Sequence, residues 1–552
     1  MAINDITINV TESVSRCMYV DDIAIFFSGK TIGQISRKLQ PAINRIVGNG
    51  ANIGMTFSRE KTQCVHFCRL RTPHYDPLLY LDDNPIRCTE TAKFLGLTFD
   101  KALRWISHIE QLKTKCIRRL DVLKVLAHTK WGAEVKCLIT IYRALILSQI
   151  DYGCVAYSSA RKSLLATLDC VHNAAIRYCI GAFPTSPVDS LYCESGVPPL
   201  DIRRKQLMAN YIIKIKSLPD HPNNVLFNVD LDLYRTRPTI TRPSYVRFCE
   251  HLEWRNITLP ILLEENMLEF EPWTMPIIRV RKDLVRLKKE TTDNDTYLRE
   301  FQSICNQYPA HEIIYTDGGK LNVVLGAQSS SMAIMYCSMV VEGKFLIVTD
   351  CLSVINNLSQ IFSDDVMTRR CQSALNPILE RIEIVFMWVP GHVGIPGNEQ
   401  ADRAARTAIC KDRVDVNFVM ATDAKKYLKE KSVLEWQQRW ERCNTHLMQI
   451  KPNVGKLYTV RDGDREINVK MHRLRIGHTG ITHKHIYKRE HPRQCDRCRT
   501  TLTIAHLMGN CPLYVLERAT HKIRANYSEN FNLDNCRGTL AFMKQINMYK
   551  DI

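Results

Sequence analysis

The sequence predicts an α/β multidomain protein, and three observations carry that reading. The chain is 552 residues long, several times the roughly 100–200 residues of a single domain. Apolar residues make up 45% and charged residues 24%, an ordinary folded composition that excludes disorder, a collagen-like repeat and a small disulfide scaffold. Short β-rich runs, long helical periodicities and a strand–helix alternation follow one another in separate blocks, with no repeat at a fixed period.

Charge narrows the partners. Lys plus Arg number 75 against 57 Asp plus Glu, a net charge of +18 with a pI near 9.1. That excess favours a polyanion, either nucleic acid or an anionic membrane surface. The opening MAINDITINVTESVSR has no basic segment followed by an apolar one, so it does not read as a signal peptide. The longest apolar-looking window, Val323 to Val341, is broken by Gln328 and Ser329–Ser331 and falls short of the ~20 residues of a spanning helix. RNA and DNA are therefore the expected partners, with no membrane and no small-molecule cofactor. The 21 cysteines show no repeating spacing, which reads as reduced thiols in the cytosol or nucleus.

The blocks follow in order. Residues 1–100 alternate strand-like runs (RCMYV, IAIFF, CVHFC, LLYL, AKFLGLTF) with one helical stretch, and turn residues punctuate them. Residues 101–217 are helical, with Leu112, Cys116, Leu120, Leu123 and Leu126 at spacings of three and four. Residues 218–305 carry Pro, Asn and Arg with weak periodicity and read as a loosely structured connector. Residues 308–410 alternate strands and helices. Residues 420–552 read as helical and basic, with Cys and His late.

The first candidate site is Asp21-Asp22, at the junction of two apolar runs between Arg16 and Phe27. A charge pair inside an apolar hairpin is costly to desolvate without a cation, which points to metal; a plain turn is the bland alternative. Tyr19-Val20-Asp21-Asp22 between hydrophobic strands resembles the palm hairpin of reverse transcriptases. SREKTQCVHFC resembles the strand that follows it, and KFLGLTFDKALRWISHI the segment leading into the thumb helices. Together they resemble the polymerase of jockey-like non-LTR retrotransposons over about residues 1–200. The resemblance implies a partial palm and a helical thumb, with Asp21 and Asp22 as catalytic Mg²⁺ ligands. Two-metal phosphoryl transfer needs a further Asp from an earlier palm strand, and only 20 residues precede Asp21. Asp5 lies in a stretch resembling the segment just before the hairpin. The expectation is a truncated, internally deleted polymerase whose DNA synthesis is lost.

The second set is Asp317 after the strand-like EIIYT, Asp350 after KFLIVT, and WVPGHVGIPGNEQAD with His392 in its loop and Asp402 at its end. Aspartates ending adjacent strands share a crevice, and Glu399 and Asp402 at i, i+3 share a helix face. Singly, each Asp reads as a cap or turn. Together they resemble type 1 ribonuclease H, which implies an α/β domain that cleaves the RNA strand of an RNA–DNA hybrid with two Mg²⁺. Asp317, Asp350 and Asp402 match that family's metal ligands, and His392 its loop histidine, a proton shuttle. The family's bridging Glu has no counterpart: Ser330 stands at its place, and Glu342 is the one acid in the 32 residues between Asp317 and Asp350. Two sheet strands are also expected to be missing, and impaired cleavage follows as an expectation.

The third candidate is Cys495, Cys498, His506 and Cys511, spaced C-x2-C-x7-H-x4-C. A tight Cys pair followed by His and Cys can close a tetrahedral Zn²⁺ site, here a knuckle over 495–511; four unrelated residues in a Cys-rich chain is the alternative. Jockey-like polyproteins carry the same cluster at their C-terminus. Nine Lys/Arg against two acids between Lys470 and Arg499 point to phosphate contact. The combined reading is a retrotransposon-derived polymerase and hybrid-ribonuclease fragment; a non-catalytic nucleic-acid-binding remnant is the rival.

Overall fold

A computed structural model describes residues 2–70, 74–237, 241–264, 277–316, 332–360, 363, 365–409, 418–460, 464–532 and 535–552. The chain divides into two compact units. One comprises Met1–Lys214, Val225–Thr258 and Thr422–Ile552; the other comprises Ile215–Asn224 and Leu259–Ala421.

In the first unit, the strands Ser15–Tyr19 and Asp22–Phe26 form an antiparallel hairpin. The helix Ile32–Asn52 buries Leu39, Ala42, Ile43 and Ile46, a spacing of three and four that puts them on one face. That face packs with Ile6, Val10, Val14, Leu79 and Leu81, and Ile23 and Ile25 of the hairpin lean on the same cluster. The helix starts where Thr31 accepts the Gln34 N–H, an N-cap bond. The helix Ile106–Leu126 buries Ile109, Leu112, Cys116, Leu120 and Leu123, and Leu126 falls outside the stripe at 38% exposure.

One finding differs from the sequence reading. The helical blocks 101–217 and 420–552 do not have separate interiors. A single apolar cluster runs from Trp105 through Ile202 and continues through Trp436, Met471, Leu474, Leu507 and Phe542. At its centre the buried Glu194 meets Arg475 (Nε to Oε1, 2.7 Å) and His472 (Nδ1 to Oε1, 2.9 Å). Burial disfavours the Glu194 charge, but Arg475 and His472 outweigh it and hold the carboxyl well below its ordinary range.

The second unit is a parallel sheet. Its strands run Glu312–Thr316, Gly343–Thr349, Ile382–Trp388 and Arg279–Arg281, in that spatial order. Side chains alternate across the sheet. Phe345, Ile347, Ile384 and Phe386 point to a core with Val354, Ile355, Met367 and Cys371. Leu346, Val348, Val385 and Met387 point to the other face, against Tyr297, Phe301 and Ile304. Burial on both faces is what parallel sheets require.

The connector expected to be loose is therefore partly built into folded units. Arg279–Arg281 is a sheet strand, and the helix Asn294–Cys305 covers one face. A three-residue Arg-Val-Arg strand is too short to show periodicity, and the helix carries only three apolar anchors among polar residues. Among the described residues Glu312–Thr316 has one sheet neighbour only, and its Ile313 stays 37% exposed.

Candidate active site and metal centre

The hairpin places Asp21 and Asp22 at its tip. Tyr19 pairs with Asp22, so Val20 and Asp21 form a two-residue turn, with Val20 at φ 55°. A positive φ at the first turn residue matches the strand twist. Both aspartates are exposed, and Val20 is 66% exposed. The buried charge pair inferred from the apolar flanks is thus corrected: the carboxylates face water, and no desolvation cost demands a cation. Among the described residues no third acid joins them in a group able to hold a metal.

The sheet unit assembles the second set. Thr316, Thr349 and Trp388 lie in register at the ends of three adjacent strands, so Asp350 and Val389 leave the sheet on one edge. Asp350 follows Thr349 directly, and its carbonyl accepts from Trp388 Nε1 at 3.0 Å. A Cβ on Gly391 would stand 2.9 Å from Asp350 Oδ2, so the His392 loop lies against that carboxylate, and a side chain at position 391 would displace it.

His392 has φ 58°, a left-handed conformation that non-glycine residues seldom adopt, and its Nδ1 lies 3.7 Å from Asp402 Oδ2. Asp402, on the helix Pro396–Ile409, is gripped by Arg406 four residues on, at 3.0 Å from Nε and 2.9 Å from Nη2. Glu399 Oε1 accepts the Gly394 N–H at 2.9 Å, so this acid braces the loop. Lys289 Nζ donates to the Gly391 carbonyl at 2.6 Å. The structure thus brings Asp350, His392 and Asp402 to one end of the sheet through the contacts of a single loop.

Asp317 and Ser330 lie outside the described residues. Glu342 is exposed and sits before Gly343, at the strand end opposite Asp350. Seven strand residues at ~3.3 Å each separate the two, so Glu342 cannot share a cation with Asp350. Arg406 and Lys289 were missed in the sequence. The i, i+4 spacing of Asp402 and Arg406 was the available signal for the first; nothing local marks the second.

Cys495, Cys498, His506 and Cys511 converge, with ligand atoms all within 4.8 Å of one another and Cys495 Sγ 3.5 Å from Cys511 Sγ. The hairpin around the first pair is closed by the Cys495 N–H to Thr500 O bond at 2.8 Å and the Arg499 N–H to Cys495 O bond at 2.9 Å. His506 opens a helical turn that ends at Cys511, and its Nε2 is buried. The Cys498 N–H, then His506, pull the Cys495 thiol down to about 6, favouring the thiolate a metal binds. Three sulfurs and an imidazole are a donor set suited to Zn²⁺.

The basic stretch divides. Arg475 is spent on Glu194. Arg473 donates to the Gly181 and Ile552 carbonyls, both at 2.7 Å, and Lys470 to Tyr549 O at 2.7 Å. Those three point inward, which corrects the phosphate reading for them. Lys484, Lys488, Arg489, Arg493, Arg497 and Arg499 are exposed.

Residues 328–410 match the RNase H family. The chain is 21% identical over 240 residues to a 115 kDa protein of the type-1 retrotransposable element R1DM of Drosophila melanogaster, covering 43% of this chain and 23% of that protein. It is 22% identical over 218 residues to the Pol polyprotein of type-1 retrotransposable element R1 2 of Nasonia vitripennis, covering 37% and 51%. It is 23% identical over 214 residues to the RNA-directed DNA polymerase from mobile element jockey of Drosophila melanogaster, covering 39% and 23%. These matches span about half or less of each relative. No solved structure matches. Among the described residues no helix is long and apolar enough to cross a membrane. A loop histidine seated beside two strand- and helix-borne aspartates and these matches together identify a chain that carries an RNase H domain and is homologous to R1 and jockey non-LTR retrotransposon polyproteins.

Proposed function

We propose that this chain is a retrotransposon-derived fragment that engages RNA–DNA hybrid, with DNA synthesis lost and hybrid cleavage impaired. One observation carries the reading: the His392 loop lies against Asp350 on one side and Asp402 on the other, within the segment that matches RNase H.

Asp350 and Asp402, with Asp317, would hold Mg²⁺, for which carboxylate oxygens are suitable hard donors. Mg²⁺ bound there supplies a lowered water pKa and neutralises phosphate charge. The chain's own groups do the rest. Asp402 stands within ion-pair distance of His392 Nδ1, which leaves Nε2 to carry a proton toward the leaving oxygen. Gly391 lets the loop approach the Asp350 carboxylate closely. Arg406 neutralises Asp402 and competes with a cation there. Glu342, the one acid between Asp317 and Asp350 in the sequence, sits at the far end of the strand from Asp350, and this supports weak metal retention and slow cleavage. Asp21 and Asp22 stand at an exposed hairpin tip, and among the described residues no third acid groups with them.

The zinc knuckle and the six exposed cations beside it would supply nucleic-acid affinity; this favours the non-catalytic binding remnant as the second reading. A labelled RNA–DNA hybrid with Mg²⁺ tests the first. Cleavage at the rate of an intact ribonuclease H that vanishes in Asp350→Asn would overturn impairment. Salt-sensitive binding with no cleavage would favour the remnant.

A further inference from the structure

A second convergence of metal-ligating side chains belongs to none of these sites. His66, Cys68 and His74 bring one ligand atom each within 4.8 Å of the others. They lie in the connection between the strands Gln63–Cys64 and Tyr80–Leu81, and all three are half-buried, so an ion can reach them. The His66 and His74 rings meet edge to face, 5.2 Å between centroids. The backbone beneath is held in place. The Cys68 N–H donates to Lys101 O at 3.1 Å, and Arg69 Nε to Ala102 O at 2.8 Å.

The observation that points to a metal is behind His66. Its Nδ1 lies 2.9 Å from Asp76 Oδ1. A carboxylate on one ring nitrogen fixes the tautomer and presents the other nitrogen to an ion, the usual arrangement behind a metal-bound imidazole. Two imidazoles and one thiolate form a borderline-soft set that suits zinc and excludes Mg²⁺ and Ca²⁺. Tetrahedral bonds of about 2.0–2.3 Å would set the ligand atoms about 3.3–3.8 Å apart, so closure needs only a small side-chain adjustment.

We propose that His66, Cys68 and His74 form a Zn²⁺ site, with Asp76 behind His66 and a water in the fourth position. The site serves as a staple. Between Ile53 and Tyr80 the described backbone contains one two-residue strand. Such a segment gains little from secondary structure, whereas binding an ion adds the metal's free energy to its folding. The zinc ties it down next to the turn after the strand Leu97–Asp100, where Cys68 and Arg69 are already bonded to Lys101 and Ala102.

Zinc content of the full chain, refolded with Zn²⁺ and desalted, tests this. Two ions per chain are expected, falling to one in Cys68→Ser and in His74→Gln, and to one in Cys511→Ser. Co²⁺ replacement separates the sites, because thiolate-to-metal absorption scales with the number of sulfurs: one here, three at the knuckle. Circular dichroism confirms that each variant stays folded. Zn²⁺ should also protect Arg69 from trypsin in Cys511→Ser but not in Cys68→Ser. Unchanged zinc content and unchanged protection in both Cys68→Ser and His74→Gln would overturn the proposal.

Discussion

Arg406 and Glu194 show how one partner sets what a carboxylate can do. Arg406 holds both oxygens of Asp402, so a divalent cation must compete with it. An exposed pair of this kind is worth about 0.2–1 kcal/mol. Arg406→Ala is therefore expected to tighten Mn²⁺ or Mg²⁺ binding by up to about fivefold, read by calorimetric titration; weaker binding would mean that Arg406 positions Asp402 for the ion. Glu194 is the opposite case, since neither it nor His472 has any side-chain exposure. Glu194→Ala leaves the Arg475 charge buried and unpaired, which costs about 3–5 kcal/mol. Urea unfolding should show this as a lowered midpoint at unchanged slope.

Among the elements, the knuckle and the basic run after Lys470 make separate predictions. Chelation should release the 495–511 loop and expose Leu502, Ile504 and Leu507, which the C-terminal core now buries. Increased hydrogen exchange there after chelator, reversed by Zn²⁺, is the expected result. Neutralising Lys488, Arg489 or Arg493 should lower the salt slope of nucleic-acid binding by about one each, whereas Arg473→Gln should act on stability instead. The sequence made these elements unequally legible. The convergence of Cys495, Cys498, His506 and Cys511 and the His392 loop could be read because a Cys/His spacing and a Gly/Pro-rich strand–loop–helix leave local signatures. The inward turn of Arg473 and Arg475 could not, because Arg473 reaches a carbonyl 292 residues away and Arg475 a carboxylate 281 away. The exposure of Asp21 and Asp22 is illegible in the sequence for a related reason: apolar flanks mark a strand but do not say whether its end reaches the core. His66, Cys68 and His74 follow no familiar ligand spacing, and the backbone must fold before they meet.

For the whole first unit, acid is the informative variable. Burial pushes His172 down to about 3 and His446 down to about 4. Both stay neutral in the fold while the unfolded chain protonates them below about 6.5. The unfolded state then binds more protons, so stability falls as the pH drops below about 6.5 and is regained as it rises. The expected slope is about 1.4 kcal/mol per pH unit for each fully buried neutral histidine. His172→Phe should flatten the pH dependence of the urea midpoint between pH 6 and 4.

The interior shared by Trp105–Ile202 and Trp436–Ile552 also sets a timetable. The early helices leave the ribosome with part of their apolar surface still waiting for a partner not yet synthesised. At ordinary elongation rates that wait is on the order of tens of seconds. During it the nascent chain is a natural client for holdase chaperones, and shortening the protein from its far end would strand the helices that were made first.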